Sequence, residues 1–178
     1  KAPILTFIAA IALVESIEKL FHLNAQIKWP NDVMIHGKKV AGILTELRAE
    51  MEGIHYMILG IGINVNTNRF PKEFQERVTS LSLELKEKLA RVKIVQTLLE
   101  ALERWYLVAL SDHPELAFER WNELSCTLGR RVEVNLGDEI VRGVATHLGV
   151  SGSLFVTLDS GEEREILAGD VTMVERIS

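Results

Sequence analysis

Apolar residues recur at helical spacing over residues 3–22, at Ile4, Ile8, Ile11, Val14 (or Glu15) and residues 17–21. This spacing predicts a first helix, with Pro3 in its first turn. Residues 25–29 read as a short strand. Pro30 holds Trp29 extended, and Asn31-Asp32 supply turn chemistry. Further strands are expected at residues 33–35, 40–46 and 55–64. A turn at His36-Gly37-Lys38 separates the first two, and a hairpin turn around Gly53 the last two. Residues 66–72 are polar, contain Pro71 and read as a loop. Residues 91–110 predict an amphipathic helix with Val95, Leu98, Leu99, Leu102, Trp105, Tyr106 and Ala109 on one stripe. His113-Pro114 breaks it, and residues 115–124 form a further short helix.

Beyond Leu128 the texture changes. Strands at residues 131–135, 140–147, 154–158, 164–167 and 171–174 alternate with glycine-bearing turns, a spacing that suggests a small closed barrel. The chain therefore divides into residues 1–126 and residues 127–178.

Composition narrows the classes. With 178 residues, 47% hydrophobic and 25% charged, the chain is long enough to bury a core. A formal charge of −5 without a clustered basic face argues against a DNA partner. The apolar run from Ala2 to Val14 superficially resembles a leader, but it is too short to span a bilayer and continues as an amphipathic helix, so no membrane partner is expected. The lone Cys126 excludes an internal disulfide and points to a reducing cytoplasm and a packing role. His22, His36, His55, His113 and His147 have no metal-like spacing, and no metal-binding residue is expected.

A strand alternates faces, so Gly60, Gly62 and Asn64 share one side and Leu59, Ile61 and Ile63 the other. Glycines give up packing in a strand, which is offset when a ligand or another chain approaches the backbone; a bulge or tight sheet packing explains them equally well. Lys28, between Ile27 and Trp29, has its stem held by apolar neighbours and its ammonium aimed, as a reaction that builds charge on a phosphate or carboxylate requires. A surface lysine on an edge strand is the simpler reading of that residue alone. Trp29 and Asp32 fit a stiff turn with an aromatic plug, Lys38 and Lys39 fit hairpin-turn lysines, and Glu46 fits a partner of one of them or a solvent-facing side chain.

Three motifs in order, Ile27-Lys28-Trp29-Pro30-Asn31-Asp32, Lys39-Val40-Ala41-Gly42-Ile43-Leu44-Thr45-Glu46 and Gly60-Ile61-Gly62-Ile63-Asn64-Val65-Asn66, closely resemble the biotin–protein ligase family. The resemblance implies an α+β fold: a mixed sheet with helices, related to class II synthetases and lipoate ligases, followed by an SH3-like barrel. It implies biotin and ATP as substrates with Mg²⁺, a biotinyl-5′-adenylate intermediate, and transfer to a lysine of a biotin carboxyl carrier domain. It assigns Lys28 to catalysis and to the biotin carboxylate, Gly60 and Gly62 to biotin, and Asn31, Lys39 and Asn64 to the nucleotide. The family's arginine- and glycine-rich loop lies before the position where this sequence starts. A fragment, a longer native protein and a truncated, inactive binding or homodimerisation module are therefore three competing readings.

Overall fold

The computed structural model describes residues 2–50 and 53–174. Helix α1 (Ala2–Phe21) carries Thr6 as its only polar side chain before Glu15, and eight consecutive residues from Phe7 to Val14 are buried. A helix apolar on every side belongs inside. Helices α3 (Arg91–Leu110) and α4 (Glu115–Leu124) pack on α1, as does a four-stranded sheet. No helix among the described residues is long and apolar enough to cross a membrane.

That sheet runs β1 (Ala25–Lys28), β2 (Asp32–Ile35), β3 (Lys38–Glu50), β4 (Gly53–Ile63), in spatial order β1-β2-β3-β4. Every ladder is antiparallel, so the expected mixed sheet is not found. The reason is the connections: each joins neighbours through a few residues, and a parallel pair needs a crossover of a dozen or more. Two isolated bridges, Ile27–Ser125 and Lys39–Val78, are parallel. Residues 51–52, within the hairpin turn expected near Gly53, lie outside the described residues. Ile27, Val33, Ala41 and Ile43 are buried on the α1 side, where Thr6 and Thr45 share a hydroxyl hydrogen bond of 2.8 Å.

Between β4 and α3 the chain makes a short 3-10 helix, Lys72–Phe74, and a five-residue helix, α2 (Leu81–Leu85). Ser80 caps α2 by accepting the Leu83 N–H on its hydroxyl. Helix α3 has the expected length but a different inner face. Ile94, Thr97, Leu98 and Ala101 are buried, whereas Val95, Leu99 and Tyr106 are about half exposed.

The C-terminal part forms a five-stranded antiparallel sheet from β5 (Arg131–Asn135), β6 (Ile140–Leu148), β7 (Leu154–Leu158), β8 (Glu163–Ile166) and β9 (Asp170–Met173), in order β8-β7-β6-β5-β9. The consecutive strands β8 and β9 occupy opposite edges. From Ile166 to Asp170 the chain reaches at most about 14 Å, while the edges of a flat five-stranded sheet lie about 19 Å apart. The sheet is therefore rolled, yet no β8–β9 ladder closes it among the described residues. The expected closed barrel is corrected to an open, curled sheet, whose edge strands β8 and β9, four residues each, pair on one side only among the described residues, with β7 and β5.

Candidate functional site

Antiparallel register sets Lys28 opposite Asp32, Asp32 opposite Gly42, and Gly42 opposite Gly62. Directly paired residues point to the same face. The four therefore form one row across the sheet, on the side away from α1. The next row pairs Leu44 with Gly60, and the third Glu46 with Ile58. Leu44 and Ile58 are more than half exposed, so this open face is partly apolar. The site is a sheet surface and not a cavity. One cavity of about 390 Å³ lies against Leu5, Leu59 and Leu102, and another of about 780 Å³ against Gln26, Cys126 and Arg130.

Lys39 reaches this face through an irregularity. Plain alternation would place it inward with Ala41 and Ile43. A bulge opposite Val33/Met34 adds one residue to β3, so Val40 and Ala41 are both buried. Lys39 Nζ then lies 2.5 Å from Asp32 Oδ1, which is itself buried. Gly42 makes room for this pair: a Cβ there would sit 3.1 Å from Lys39 Cε and Nζ. Lys28, by contrast, has no ion-pair partner among the described residues.

Gly60 and Gly62 have no internal reason to be glycine. Neither has a positive φ. A Cβ on Gly60 would meet Leu44 O at 3.6 Å and one on Gly62 would meet Gly42 O at 3.7 Å, both ordinary contacts. Among the described residues the only β3–β4 irregularity is at Arg48/Ala49, away from both. Tight packing and a bulge, the two internal explanations open from the sequence, do not apply within the described residues.

The asparagines are partly committed. Asn31 Nδ2 donates to Ile43 O at 2.8 Å, and Ile43 N donates back to Asn31 O, so Asn31 pins the turn to β3. Asn64, just past the end of β4, donates from Nδ2 to Thr79 O at 3.1 Å. Trp29 is 1% exposed, as an aromatic plug should be. Glu46 is exposed. Burial pushes the Cys126 thiol pKa up, with the nearby charges of Lys28 and Arg130 pulling partly against it, so the sulfur is poorly nucleophilic.

The sequence reading missed Asp32 and Gly42 as members of the row. Both follow from Gly62 once the register is known. No group of three or more His, Cys, Asp or Glu able to hold a metal occurs among the described residues, and Asp32 is taken by Lys39. Among the described residues the side chains do not form a cage for Mg²⁺.

Residues 1–64 match the family model of the Biotin/lipoate A/B protein ligase family, and residues 127–174 that of the Biotin protein ligase C terminal domain. Together they cover more than half of the chain. The chain belongs to the biotin protein ligase family. It is 34% identical to the bifunctional ligase/repressor BirA of Bacillus subtilis, over 97% of this chain and 54% of that protein. It is 33% identical to the biotin--[acetyl-CoA-carboxylase] ligase of Mycobacterium tuberculosis, over 94% of this chain and 61% of that protein. The chain thus spans about half the length of the curated relatives it matches. The structure superposes on the biotin protein ligase of Aquifex aeolicus in complex with biotin and ATP with a TM-score of 0.82 and 25% identity, covering 98% of this chain and 72% of that one.

Proposed function

We propose that this chain carries the sheet and C-terminal portion of an ATP-dependent biotin–protein ligase. In the first step a biotin carboxylate oxygen attacks the α-phosphorus of ATP, giving biotinyl-5′-AMP and releasing pyrophosphate. In the second a lysine amine of a biotin carboxyl carrier domain attacks the acyl carbon, releasing AMP and leaving an amide. The observation that carries this reading is the open face itself: an ammonium without an ion-pair partner among the described residues, Lys28, at one end of a row whose other end is glycine that the fold does not need.

On this reading biotin lies flat over Gly60 and Gly62, with exposed Leu44 as apolar floor. Lys28 holds the biotin carboxylate and the negative charge that grows as two anions meet. Lys39 and the uncommitted side of Asn64 serve the nucleotide. Asn31 contributes by fixing the turn that follows Lys28. We divide the chain into a catalytic part, 1–126, and an SH3-like part, 127–178, and place the reaction in the cytoplasm.

The test is calorimetric titration with biotin and MgATP, followed by assay of pyrophosphate release and of label transfer to a carrier domain. Ordered binding and turnover are expected. Binding without pyrophosphate release would leave a ligase-like binding module instead.

A further inference from the structure

The residues on either side of Lys28 are both tied to residues 126–127, where the two parts of the chain meet, and Trp29 is tied also to the C-terminal sheet. Strand β1 is the edge of its sheet, so the outward groups of Ile27 and Trp29 have no partner on β2. Residues 125–127 supply them. Cys126 N donates to Ile27 O at 2.9 Å, and Trp29 N donates to Thr127 Oγ1 at 2.9 Å. From the turn between β6 and β7, Gly152 O accepts the Trp29 indole Nε1–H at 3.0 Å. Ile27, Trp29 and Thr127 are all essentially buried, so water cannot replace these bonds.

Both anchors are themselves held. Ser125 Oγ accepts from the N–H groups of Thr127 and Leu128, and Thr127 O accepts from Arg130 N. Gly152 sits at φ +85°, open to glycine, in a turn closed by Gly149 N donating to Ser153 O. Ser153 Oγ donates in turn to Glu165.

We propose that the C-terminal part of the chain is a positioning device for Lys28, acting through the Thr127 hydroxyl and the Gly152 carbonyl on Trp29. The inference rests on the catalytic role proposed for Lys28. An ammonium on a strand clamped at both neighbours stays aimed at one point, and misplacement of such a group by about 1 Å can cost on the order of a hundredfold in rate.

The experiment compares Thr127→Val, Thr127→Ser and Trp29→Phe in the full-length protein, each also combined with Lys28→Ala, by steady-state pyrophosphate release from biotin and MgATP. Thr127→Val and Trp29→Phe are expected to lower kcat about tenfold to a hundredfold while both KM values stay close to wild type. Thr127→Ser restores turnover, and neither loss recurs in the Lys28→Ala background, as expected for groups acting through that lysine. Equal losses in both backgrounds, or no rescue by serine, would overturn the proposal. Absence of pyrophosphate release from the wild type would instead sink the function reading. Amide hydrogen exchange then decides the positioning: faster exchange at Lys28 and Trp29 in Thr127→Val supports it, and unchanged exchange overturns it.

Discussion

Lys39 and Asp32 form an ion pair 2.5 Å long in the space left by Gly42. The β3 bulge turns Lys39 outward, and Asp32 holds its ammonium over the row that begins at Lys28. A partly exposed pair of this kind adds less than about 1 kcal/mol to stability. Its value lies in placing a second cation on the open face. Lys39→Ala leaves the buried Asp32 Oδ1 without its partner, so a modest fall in melting temperature is expected, together with MgATP binding weakened about tenfold or more, the usual weight of a charge-assisted hydrogen bond. Biotin affinity without nucleotide should hold. Separate titrations with each substrate check this; equal weakening of both would refute it.

Lys28→Ala should leave the fold intact, because the residue is half-buried at a strand end and makes no ion pair among the described residues. Adenylate formation should fall on the order of a hundredfold or more. Single-turnover formation of biotinyl-5′-AMP measures it. Near-wild-type adenylation would remove Lys28 from the site.

Strand positions were largely legible in the sequence, because alternation in residues 25–64 and turn glycines beyond Gly129 mark them directly. What alternation could not supply was register. The row from Lys28 to Gly62 crosses four strands, and Asp32 and Gly42 join it only through pairing. Lys39 defeats alternation outright, since the bulge reverses its face. Helix α3 has apolar residues on more than one arc, so spacing found the helix but not which arc faces α1. Helix α2, at five residues, is too short for any periodicity to register. The C-terminal strands were found one by one, but barrel closure depends on an edge contact that strand spacing does not encode.

Glu15 shows what the α1 stripe left ambiguous. Its carboxylate accepts from Arg104 Nη2 (3.2 Å), Trp105 Nε1 (3.0 Å) and Arg120 Nε (3.1 Å), joining α1 to α3 and α4. Glu15→Ala strands the half-buried Trp105 indole donor and removes the carboxylate shared by Arg104 and Arg120, although Arg120 keeps Glu123. Loss of about 1–3 kcal/mol is expected, read from urea denaturation with an unchanged slope. A change below about 0.5 kcal/mol would mean the network is solvated.

Glu84 links α2 to the sheet. It accepts from Thr79 Oγ1 at 2.6 Å and pairs with His36 Nδ1 at 2.8 Å. Burial works to raise its pKa, but these two partners, with the nearby charge of Lys38, outweigh burial and hold it below its ordinary value. A depressed folded pKa gives stability that is present above the unfolded value of about 4.3 and lost as pH falls through the folded one. The wild type should therefore lose stability more steeply below about pH 5 than Glu84→Gln does. Parallel denaturation midpoints across that range would contradict the assignment.

On the proposed function, Gly60 and Gly62 are glycine for a ligand and not for the fold. Gly60→Ala and Gly62→Ala, each followed by urea denaturation and by biotin titration, separate the two roles. Because a Cβ meets only ordinary contacts at both positions, stability should stay level or rise by about 0.5–1 kcal/mol. Biotin affinity should fall about tenfold or more, the effect of crowding a fitted surface. Unchanged biotin affinity in both variants, or a loss of affinity that merely follows a loss of stability, would mean that these glycines serve the fold and not biotin.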